Sequence, residues 1–349
     1  MSVTRNLTID VVRGLAIFIM LPANMAALIY AEPHALWFRI LSSFAAPTFV
    51  FVSGMMVAFG GTSGKHGLKS YLLRGGLLLI VAALVDVLIW KLIPFYSYDV
   101  LYLIGLSCPL AFLFTKLDRS WQLGLLGLIL LATPLLQLFF GYTDYPSEIY
   151  LWGSDAGTWS VVAAKPTGVL QHLFIDGYFP IFPWLGISFS GVFIAQHFYG
   201  ASQAGSSRVR VGVAALVLLA VGIAAWVSYP GLHYVRAGYS EMFYPPTVGF
   251  ILTALGFVLA ALWLAHWNPG ARIYAPLRWL GEASLFMYVL HYSLIHFLLD
   301  PRFPGQPFPV FLLINFTTLL LLLALAGGLH RLKQVWSRRP FLVRFFFGG

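Results

Sequence analysis

Long hydrophobic runs separated by short polar segments recur along the whole chain of 349 residues. A helix needs about 20 mostly apolar residues to cross a bilayer. The runs do not alternate like the ten-residue strands of a membrane β-barrel. The pattern therefore predicts an all-α, polytopic membrane protein with about ten transmembrane helices in one bundle, forming a single domain over 1–349. The predicted spans are 9–30, 41–60, 71–92, 98–116, 120–140, 178–198, 209–228, 246–266, 279–299 and 308–331.

The composition also indicates a protein whose surface faces lipid. Hydrophobic residues make up 60% of the chain and charged residues 9%, against about 25% charged in an ordinary soluble domain. So few charges could not cover a water-facing surface of a protein this large. The single cysteine, Cys108, excludes an intramolecular disulfide framework.

The positions of the basic residues predict the orientation. With the N-terminus in the cytoplasm, fifteen of the 21 Lys and Arg residues fall on the cytoplasmic side and five on the outer side, while Arg13 lies within the first span. Cytoplasmic loops of membrane proteins carry such an excess. We therefore expect both termini in the cytoplasm. The same bias explains the net charge of +9 without nucleic acid as a partner.

The first span carries more polar residues than any other. Asp10 and Arg13 are three positions apart, on one helix face, and can pair. Asn24 lies about 16 Å further along the helix, and His34 follows Pro33, where the helix should have ended. An ionisable group at membrane depth costs about 2.5–3.5 kcal/mol, which indicates a function. Two interpretations stay open for each: Arg13 binds an anion or anchors the helix, and His34 is catalytic or an ordinary interfacial residue.

Polar residues in later spans are weaker candidates. Asp86, in the third span, either pairs with Lys91 or lines a cavity, and Asp99 opens the fourth span. His291, in the ninth span, is either a functional group or an interhelical hydrogen-bonding residue.

The sixth span is predicted to be broken, because it contains Pro180 and Pro183. A broken helix is tolerated where the freed backbone is buried in protein or lines a cavity, so this span and its Trp184 are predicted to form a wall of a binding site. The outer segment 141–177 is rich in Tyr, Trp and carboxylates, which suits either a sugar-binding loop or an interfacial aromatic belt. The sequence contains no metal-ligand cluster, phosphate-binding loop or dinucleotide fingerprint, so no metal is predicted.

Several blocks, in order, resemble heparan-α-glucosaminide N-acetyltransferase and its bacterial relatives in the transmembrane acyltransferase superfamily. They are the pattern Arg5…Asp10-x-x-Arg13-Gly14, the run LAIFIMLPAN to Asn24, His34, APTFVFVSGMMV at 46–57, and the blocks at 99–106, 179–191, 244–256 and 280–291. The resemblance implies transfer of an acyl group, acetyl above all, from cytosolic acyl-CoA. The acceptor would be an amino or hydroxyl group of a sugar-like molecule outside the bacterial cytoplasmic membrane.

The resemblance also implies roles for individual residues. His34 and Asn24 match positions with catalytic roles, His34 as the base and Asn24 as a donor to the thioester oxygen. Membrane lipids are expected partners, and a homodimer is left open. The residues predicted to bind CoA are Arg13, Asp10, Lys65, Lys69, Arg74 and His291, and those predicted to bind the acceptor are Asp86, Asp99 and Trp184.

Three alternatives remain at this stage. A related group of acyltransferases O-acylates cell-surface sugars, although a histidine would then be expected near Asn24. A transporter of a small polar or lipid-linked solute would also use broken helices and intramembrane polar residues. A structural membrane protein would leave Arg13, Asn24 and Asp86 without a role. The sequence does not decide between direct transfer and an acyl-histidine intermediate.

Overall fold

The computed structural model describes residues 6–62, 67–142, 149–151, 167–199, 206–231, 239–336 and 338–348. Lys65 and most of the outer segment 141–177 lie outside these ranges, so their predicted roles stay predictions. Within the described ranges the secondary structure is helical apart from two isolated β-bridges, which join Tyr30 to Gln306 and Leu92 to Tyr150.

The described residues form fourteen α-helices. In chain order they are α1 Leu7–Ile29, α2 Leu36–Ser42, α3 Ala45–Thr62, α4 Leu68–Val85, α5 Val100–Phe114, α6 Arg119–Phe140, α7 Thr167–Gln171, α8 Ile181–Phe198, α9 Ser206–Val227, α10 Val248–Trp267, α11 Ala275–Glu282, α12 Ser284–Leu294, α13 Phe308–Val335 and α14 Phe341–Phe347. A π-helical turn continues three of these helices, at Asp86–Trp90, His172–Asp176 and Ile295–Leu299.

The prediction of an all-α polytopic membrane protein is confirmed. Within the described ranges, eight segments are long and apolar enough to cross a bilayer, and the bent pair Arg272–Glu282 and Ser284–Leu299 would make a ninth. The predicted span 98–116 corresponds to Val100–Phe114, whose 15 residues are fewer than the roughly 20 that a straight crossing needs. Each predicted span thus coincides with helical residues. The fourth span is shorter than a straight crossing needs, and the ninth is bent.

The chain divides into two compact units, each built from separated segments. The first unit contains 1–49, 233–243 and 257–349, and the second contains 50–232 and 244–256. The divisions fall inside α3 and α10, so each of these helices contributes to both units.

Close contact between α1 and α11 organises the first unit. Gly14 on α1 lies against the carbonyl oxygen of Leu277, and Gly281 on α11 lies against the carbonyl oxygen of Asp10. A Cβ atom at either glycine would overlap that oxygen. Small residues allow helix backbones to approach in this way within a membrane, so the polar end of α1 is held directly against α11.

The second unit uses glycine contacts of the same kind. Gly54 on α3 lies against the carbonyl oxygen of Ser188 on α8, and Gly191 on α8 lies against the carbonyl oxygen of Phe51. Trp184 is fully buried in α8, and its ring meets that of Phe179 edge-on at 4.8 Å. Backbone contact between α3 and α8 therefore fixes the helix that carries the predicted binding-site wall.

Candidate functional site

His34 lies five residues beyond the end of α1, on a chain segment fixed by its neighbours. The backbone N–H of Ala31 donates to the carbonyl oxygen of Gln306 at 2.9 Å. The imidazole stacks on the ring of Tyr30, with centroids 4.4 Å apart and planes 8° apart, and meets Phe38 edge-on at 6.2 Å. These contacts hold the plane of the imidazole in one orientation.

Both ring nitrogens of His34 have hydrogen-bond partners. Nε2 lies 3.2 Å from the carbonyl oxygen of Tyr30, and Nδ1 lies 2.6 Å from Oγ of Ser240. A carbonyl oxygen only accepts, so Nε2 carries a hydrogen. In the neutral ring Nδ1 is then the acceptor, and the Ser240 hydroxyl donates to it.

The segment that carries Ser240 is hydrogen-bonded to α2 at two points. Arg39 Nε donates to the carbonyl oxygen of Ser240 at 3.3 Å. The backbone N–H of Met242 donates to Oγ of Ser43 at 2.8 Å, and that hydroxyl donates to the carbonyl oxygen of Arg39 at 2.8 Å. Ser240 is fully buried, so its hydroxyl meets His34 away from bulk water.

Glu241, between these two anchored residues, is a buried carboxyl group on a loop outside the spans. Burial raises the pKa of Glu241 to about 7, although hydrogen bonds from the backbone N–H groups of Glu241 and Ser240 act in the opposite direction. No group among the described residues donates to its Oε2 atom. The sequence analysis assigned this residue no role.

The raised pKa of Glu241 predicts a pH-dependent stability. The folded state holds this proton more tightly than the unfolded chain, so its contribution to the free energy of unfolding is present below the ordinary carboxyl pKa and is lost as the pH rises through about 7. We expect the thermal midpoint of the wild type to fall by several degrees between about pH 5 and pH 8, and that of Glu241→Gln to fall less. Thermal unfolding in detergent measures both, with exposed Glu32→Gln as the control; equal slopes for wild type and Glu241→Gln would contradict the assignment.

Asn24 and His291 are brought together although they lie 267 positions apart. Asn24 Nδ2 lies 2.9 Å from His291 Nε2, and His291 Nδ1 lies 3.1 Å from the carbonyl oxygen of Met287. That carbonyl requires a hydrogen on Nδ1, so in the neutral ring Nε2 accepts from the Asn24 amide. His291 is fully buried and Asn24 is half-buried. The second amide hydrogen of Asn24 remains available to a substrate.

His34 and Asn24 belong to separate hydrogen-bonded groups within the first unit. Six residues of chain lead from Asn24 to Tyr30, which stacks on His34, or about 9 Å along a helix axis. A substrate that used both side chains would therefore lie along the C-terminal end of α1.

The N-terminal part of α1 carries a paired guanidinium. Arg13 Nη1 lies 3.8 Å from Asp10 Oδ1 and donates to the carbonyl oxygen of Gly281 at 3.3 Å. The Arg13 side chain keeps 20% of its surface exposed. Guanidinium carries a permanent positive charge and five N–H donors, a chemistry that suits an anion such as phosphate.

Two basic residues of α13 lie beside Glu282, the last residue of α11. The sequence analysis assigned neither of them a role in the site. His330 Nδ1 lies 2.9 Å from Glu282 Oε2. Lys333 Nζ donates to the backbone carbonyl of Glu282 at 3.3 Å and lies 3.9 Å from its carboxylate. Glu282 adjoins Gly281, so α1, α11 and α13 contribute charged groups to one end of the first unit.

The remaining predicted CoA-binding residues lie on the second unit or outside the described ranges. Lys69 and Arg74 are exposed on the first turns of α4. Lys65 is not among the described residues. Their predicted contribution to CoA binding stays a prediction.

The predicted acceptor-binding residues have structural partners in the second unit. Asp86 accepts a hydrogen bond from the hydroxyl of Tyr102 at 2.5 Å, while Lys91 donates to the carbonyl oxygen of Leu88 at 2.9 Å. Asp99 caps α5 by accepting from the N–H of Val100 at 2.6 Å. These contacts position the side chains, and acceptor binding by them and by the buried Trp184 stays a prediction.

An imidazole and a carboxylate meet in the second unit at a place that the sequence analysis did not identify. His172 Nδ1 lies 2.6 Å from Asp176 Oδ1, and Gln171 donates to the other carboxylate oxygen at 2.8 Å. His172 and Asp176 are each 1% exposed and lie in a π-helical turn, a conformation frequent at functional sites. The sequence offered one signal for this pair, because His172 and Asp176 are four positions apart and would lie on the same face of a helix that ends before Pro180. Within the described ranges, no group of three or more His, Cys, Asp or Glu side chains could hold a metal ion.

One family model matches the chain. It describes heparan-alpha-glucosaminide N-acetyltransferase, catalytic, and covers residues 5–229. No curated protein matches the chain. The matched range contains Arg13, Asn24 and His34, whereas Ser240 and His291 lie beyond it.

Proposed function

Because the chain belongs to the heparan-alpha-glucosaminide N-acetyltransferase catalytic family, we propose that it moves an acetyl group from cytosolic acetyl-CoA to an amino or hydroxyl group of a sugar-like acceptor outside the membrane. The observation that carries the proposal is the arrangement along α1, a single membrane helix. Arg13 lies in its N-terminal half, Asn24 in its C-terminal half and His34 just beyond its C-terminal end. One helix thus provides a group for each task that the reaction requires.

Binding of the donor requires cations at the cytoplasmic end. CoA carries phosphates at one end and its thioester at the end of a long flexible arm. Arg13 is a partly exposed cation at this end of α1, and charge-assisted hydrogen bonds from guanidinium to phosphate are strong. With Lys65, Lys69 and Arg74 as further cations, the phosphates would stay at the cytoplasmic face while the arm extends along α1.

The chemical step requires a donor for the thioester oxygen and a base for the acceptor. The Asn24 amide has one hydrogen engaged by His291, and the other can stabilise the negative charge that develops on the thioester oxygen. His34 takes the proton that the acceptor loses as it attacks the carbonyl carbon, because a positioned imidazole is the most common general base in enzymes. The C–S bond then breaks, and the CoA thiolate takes a proton.

The orientation follows from the same arrangement. The excess of basic residues in alternate loops favours cytoplasmic termini, which puts Arg13 on the side where acetyl-CoA is made and His34 on the opposite side. We therefore place the protein in the bacterial cytoplasmic membrane, with its acceptor outside.

Acetyl transfer by the purified protein in lipid nanodiscs tests the function. Acetyl-CoA is supplied with glucosamine, which offers an amine and hydroxyls, or with N-acetylglucosamine, which offers hydroxyls only. We expect release of CoA thiol and an acetylated product with at least one of these acceptors. Uptake of solute into proteoliposomes without thioester cleavage would instead indicate a transporter and would overturn the proposal.

Arg13→Ala should weaken CoA binding. Loss of hydrogen bonds to a charged group costs about 1.5–3 kcal/mol, so we expect the Kd for CoA to rise roughly 10-fold or more. Isothermal titration with CoA in detergent measures the change, and thermal unfolding checks that the loss of the Asp10 and Gly281 contacts has not unfolded the protein.

Arg302→Ala is the matched control, because Arg302 is an exposed arginine whose guanidinium donates to the carbonyl oxygen of Leu298. Its affinity for CoA should equal that of the wild type. Unchanged affinity in a folded Arg13→Ala protein would remove Arg13 from the donor site.

A further inference from the structure

The hydrogen bond between Ser240 and His34 assigns Ser240 a role that the family match, which ends at residue 229, does not cover. We propose that Ser240 is a positioning residue that fixes Nδ1 as the nitrogen of His34 that takes up a proton. The inference rests on the proposed role of His34 as the base. It deepens that role, because it identifies the basic atom and the group that holds it in position.

The Nε2 side of the ring is fixed by the backbone. The carbonyl oxygen of Tyr30 accepts from Nε2, and the chain on both sides of Tyr30 is hydrogen-bonded to Gln306 through Ile29 and Ala31. This oxygen therefore cannot turn away from the ring. The tautomer without a hydrogen on Nε2 would place two lone pairs against each other, so Nε2 keeps its hydrogen whether His34 is neutral or protonated.

The Nδ1 side is fixed by a group that can pair with both protonation states. When His34 is neutral, the Ser240 hydroxyl donates to Nδ1. When His34 is protonated, Nδ1–H donates to the same oxygen, since a hydroxyl is both a donor and an acceptor. The ring can therefore gain and lose a proton without rotating out of its stack on Tyr30.

The position of the Ser240 hydroxyl is set by α2. Two hydrogen bonds hold the backbone around Ser240. Arg39 donates to the carbonyl oxygen of Ser240, and the N–H of Met242 donates to Ser43, which lies one helical turn beyond Arg39. Ser240 is also fully buried, so water does not compete for Nδ1. The 2.6 Å contact between Oγ and Nδ1 is thus maintained by the fold and not by the two side chains alone.

The site of proton uptake follows from this geometry. Nε2 already carries a hydrogen, so the proton that the acceptor loses is taken up at Nδ1. His34 becomes an imidazolium, the Ser240 hydroxyl changes from donor to acceptor, and the acceptor nitrogen or oxygen forms its bond to the acetyl carbon.

Nuclear magnetic resonance of the ring nitrogens tests the assignment without any turnover. The full chain, with ¹⁵N-labelled histidine, is reconstituted in nanodiscs, and His34→Gln identifies the His34 signals. We expect the wild type at high pH to show a protonated Nε2 and an unprotonated Nδ1. Ser240→Ala should shift the Nδ1 signal and give a mixture of tautomers, and Ser240→Thr should restore the wild-type signals.

Ser293→Ala is the matched control, because Ser293 is a part-buried serine of the same unit that donates to the carbonyl oxygen of Val289. Its spectrum should equal that of the wild type. A wild-type ring with the hydrogen on Nδ1, or a Ser240→Ala spectrum identical to the wild type, would overturn the inference. If Ser240→Ala fails to fold, Ser240→Cys, which keeps the size of the side chain and weakens the donor, replaces it.

Kinetics with acetyl-CoA and glucosamine provide the second measurement. Ser240→Ala should lower kcat on the order of 10-fold and leave the KM for acetyl-CoA unchanged. The loss is smaller than the roughly 10²–10⁴-fold rate increase that a positioned base contributes, because the base itself remains. Ser240→Thr should recover most of the rate. A folded Ser240→Thr as slow as Ser240→Ala would overturn the positioning role. If the wild type transfers no acetyl group at all, the proposed function fails, and the nitrogen spectra still decide the positioning role.

Discussion

His34→Ala should reduce acetyl transfer by roughly 10²–10⁴-fold, the contribution typical of a positioned general base. The affinity for CoA should stay close to that of the wild type, because Arg13, the predicted phosphate-binding residue of α1, lies far along that helix from His34. Turnover in nanodiscs and CoA titration of the same preparation separate the two effects. The stack on Tyr30 and the contact with Phe38 are lost as well, so His34→Gln, which keeps a polar side chain, is measured beside it.

His197→Ala is the matched control for a lost imidazole. His197 pairs with Gln122 in the second unit, and we assign it no part in the reaction, so its turnover should match the wild type. If folded His34→Ala retains a rate near that of the wild type, His34 is not the base. His172, which Asp176 holds by a 2.6 Å hydrogen bond, would then become the residue to replace.

The hydrophobic pattern was enough to predict the helices because it reports length and polarity directly. The first span was predicted over 9–30 and forms Leu7–Ile29, with Asn6 capping its start. The end of the first helix before Pro33 could be predicted, because proline disfavours helical conformation in the residue before it. The same pattern could not show that α5 is short or that the ninth span bends by 78° near Ala283, since no proline marks that bend and the adjacent Glu282 does not by itself end a helix.

The hydrogen-bond partners of the site residues could not be predicted from the sequence, because they come from distant parts of the chain. Asn24 and His291 are 267 positions apart, and His34 and Ser240 are 206 apart. Periodicity identifies which face of a helix is polar and says nothing of what that face meets. Serine is common in loops, so Ser240 carried no signal until the fold placed its hydroxyl against an imidazole.

Closeness in sequence was also misleading for one carboxylate. Lys91 was a candidate partner of Asp86 because the two are five positions apart. In the structure the π-helical turn Asp86–Trp90 ends with Lys91 in a left-handed conformation, at φ 59°, and its ammonium group binds the carbonyl oxygen of Leu88. Tyr102 reaches Asp86 from α5 instead. Local backbone conformation, which pattern analysis does not resolve, decided which donor faces the carboxylate.

Asn24→Ala should lower kcat by about 10²–10³-fold, the loss typical when one donor to a developing oxyanion is removed. The acetyl-CoA KM should change little, because the amide acts mainly as charge develops on the thioester oxygen. Asn24→Asp should be at least as slow, since a carboxylate keeps the shape of the side chain and has no hydrogen to donate. Steady-state kinetics with acetyl-CoA and glucosamine measure both variants, and Asn315→Ala, an asparagine on α13 with no assigned role, serves as the control.

The contact between Asn24 and His291 makes this prediction more specific. His291 orients the Asn24 amide by accepting one of its hydrogens, so His291→Ala should cost less than Asn24→Ala and should act only through it. The double variant should then be about as slow as Asn24→Ala alone, because residues that act as a unit give non-additive losses. Losses that multiply would show that His291 acts independently of Asn24, and the orientation role would be wrong.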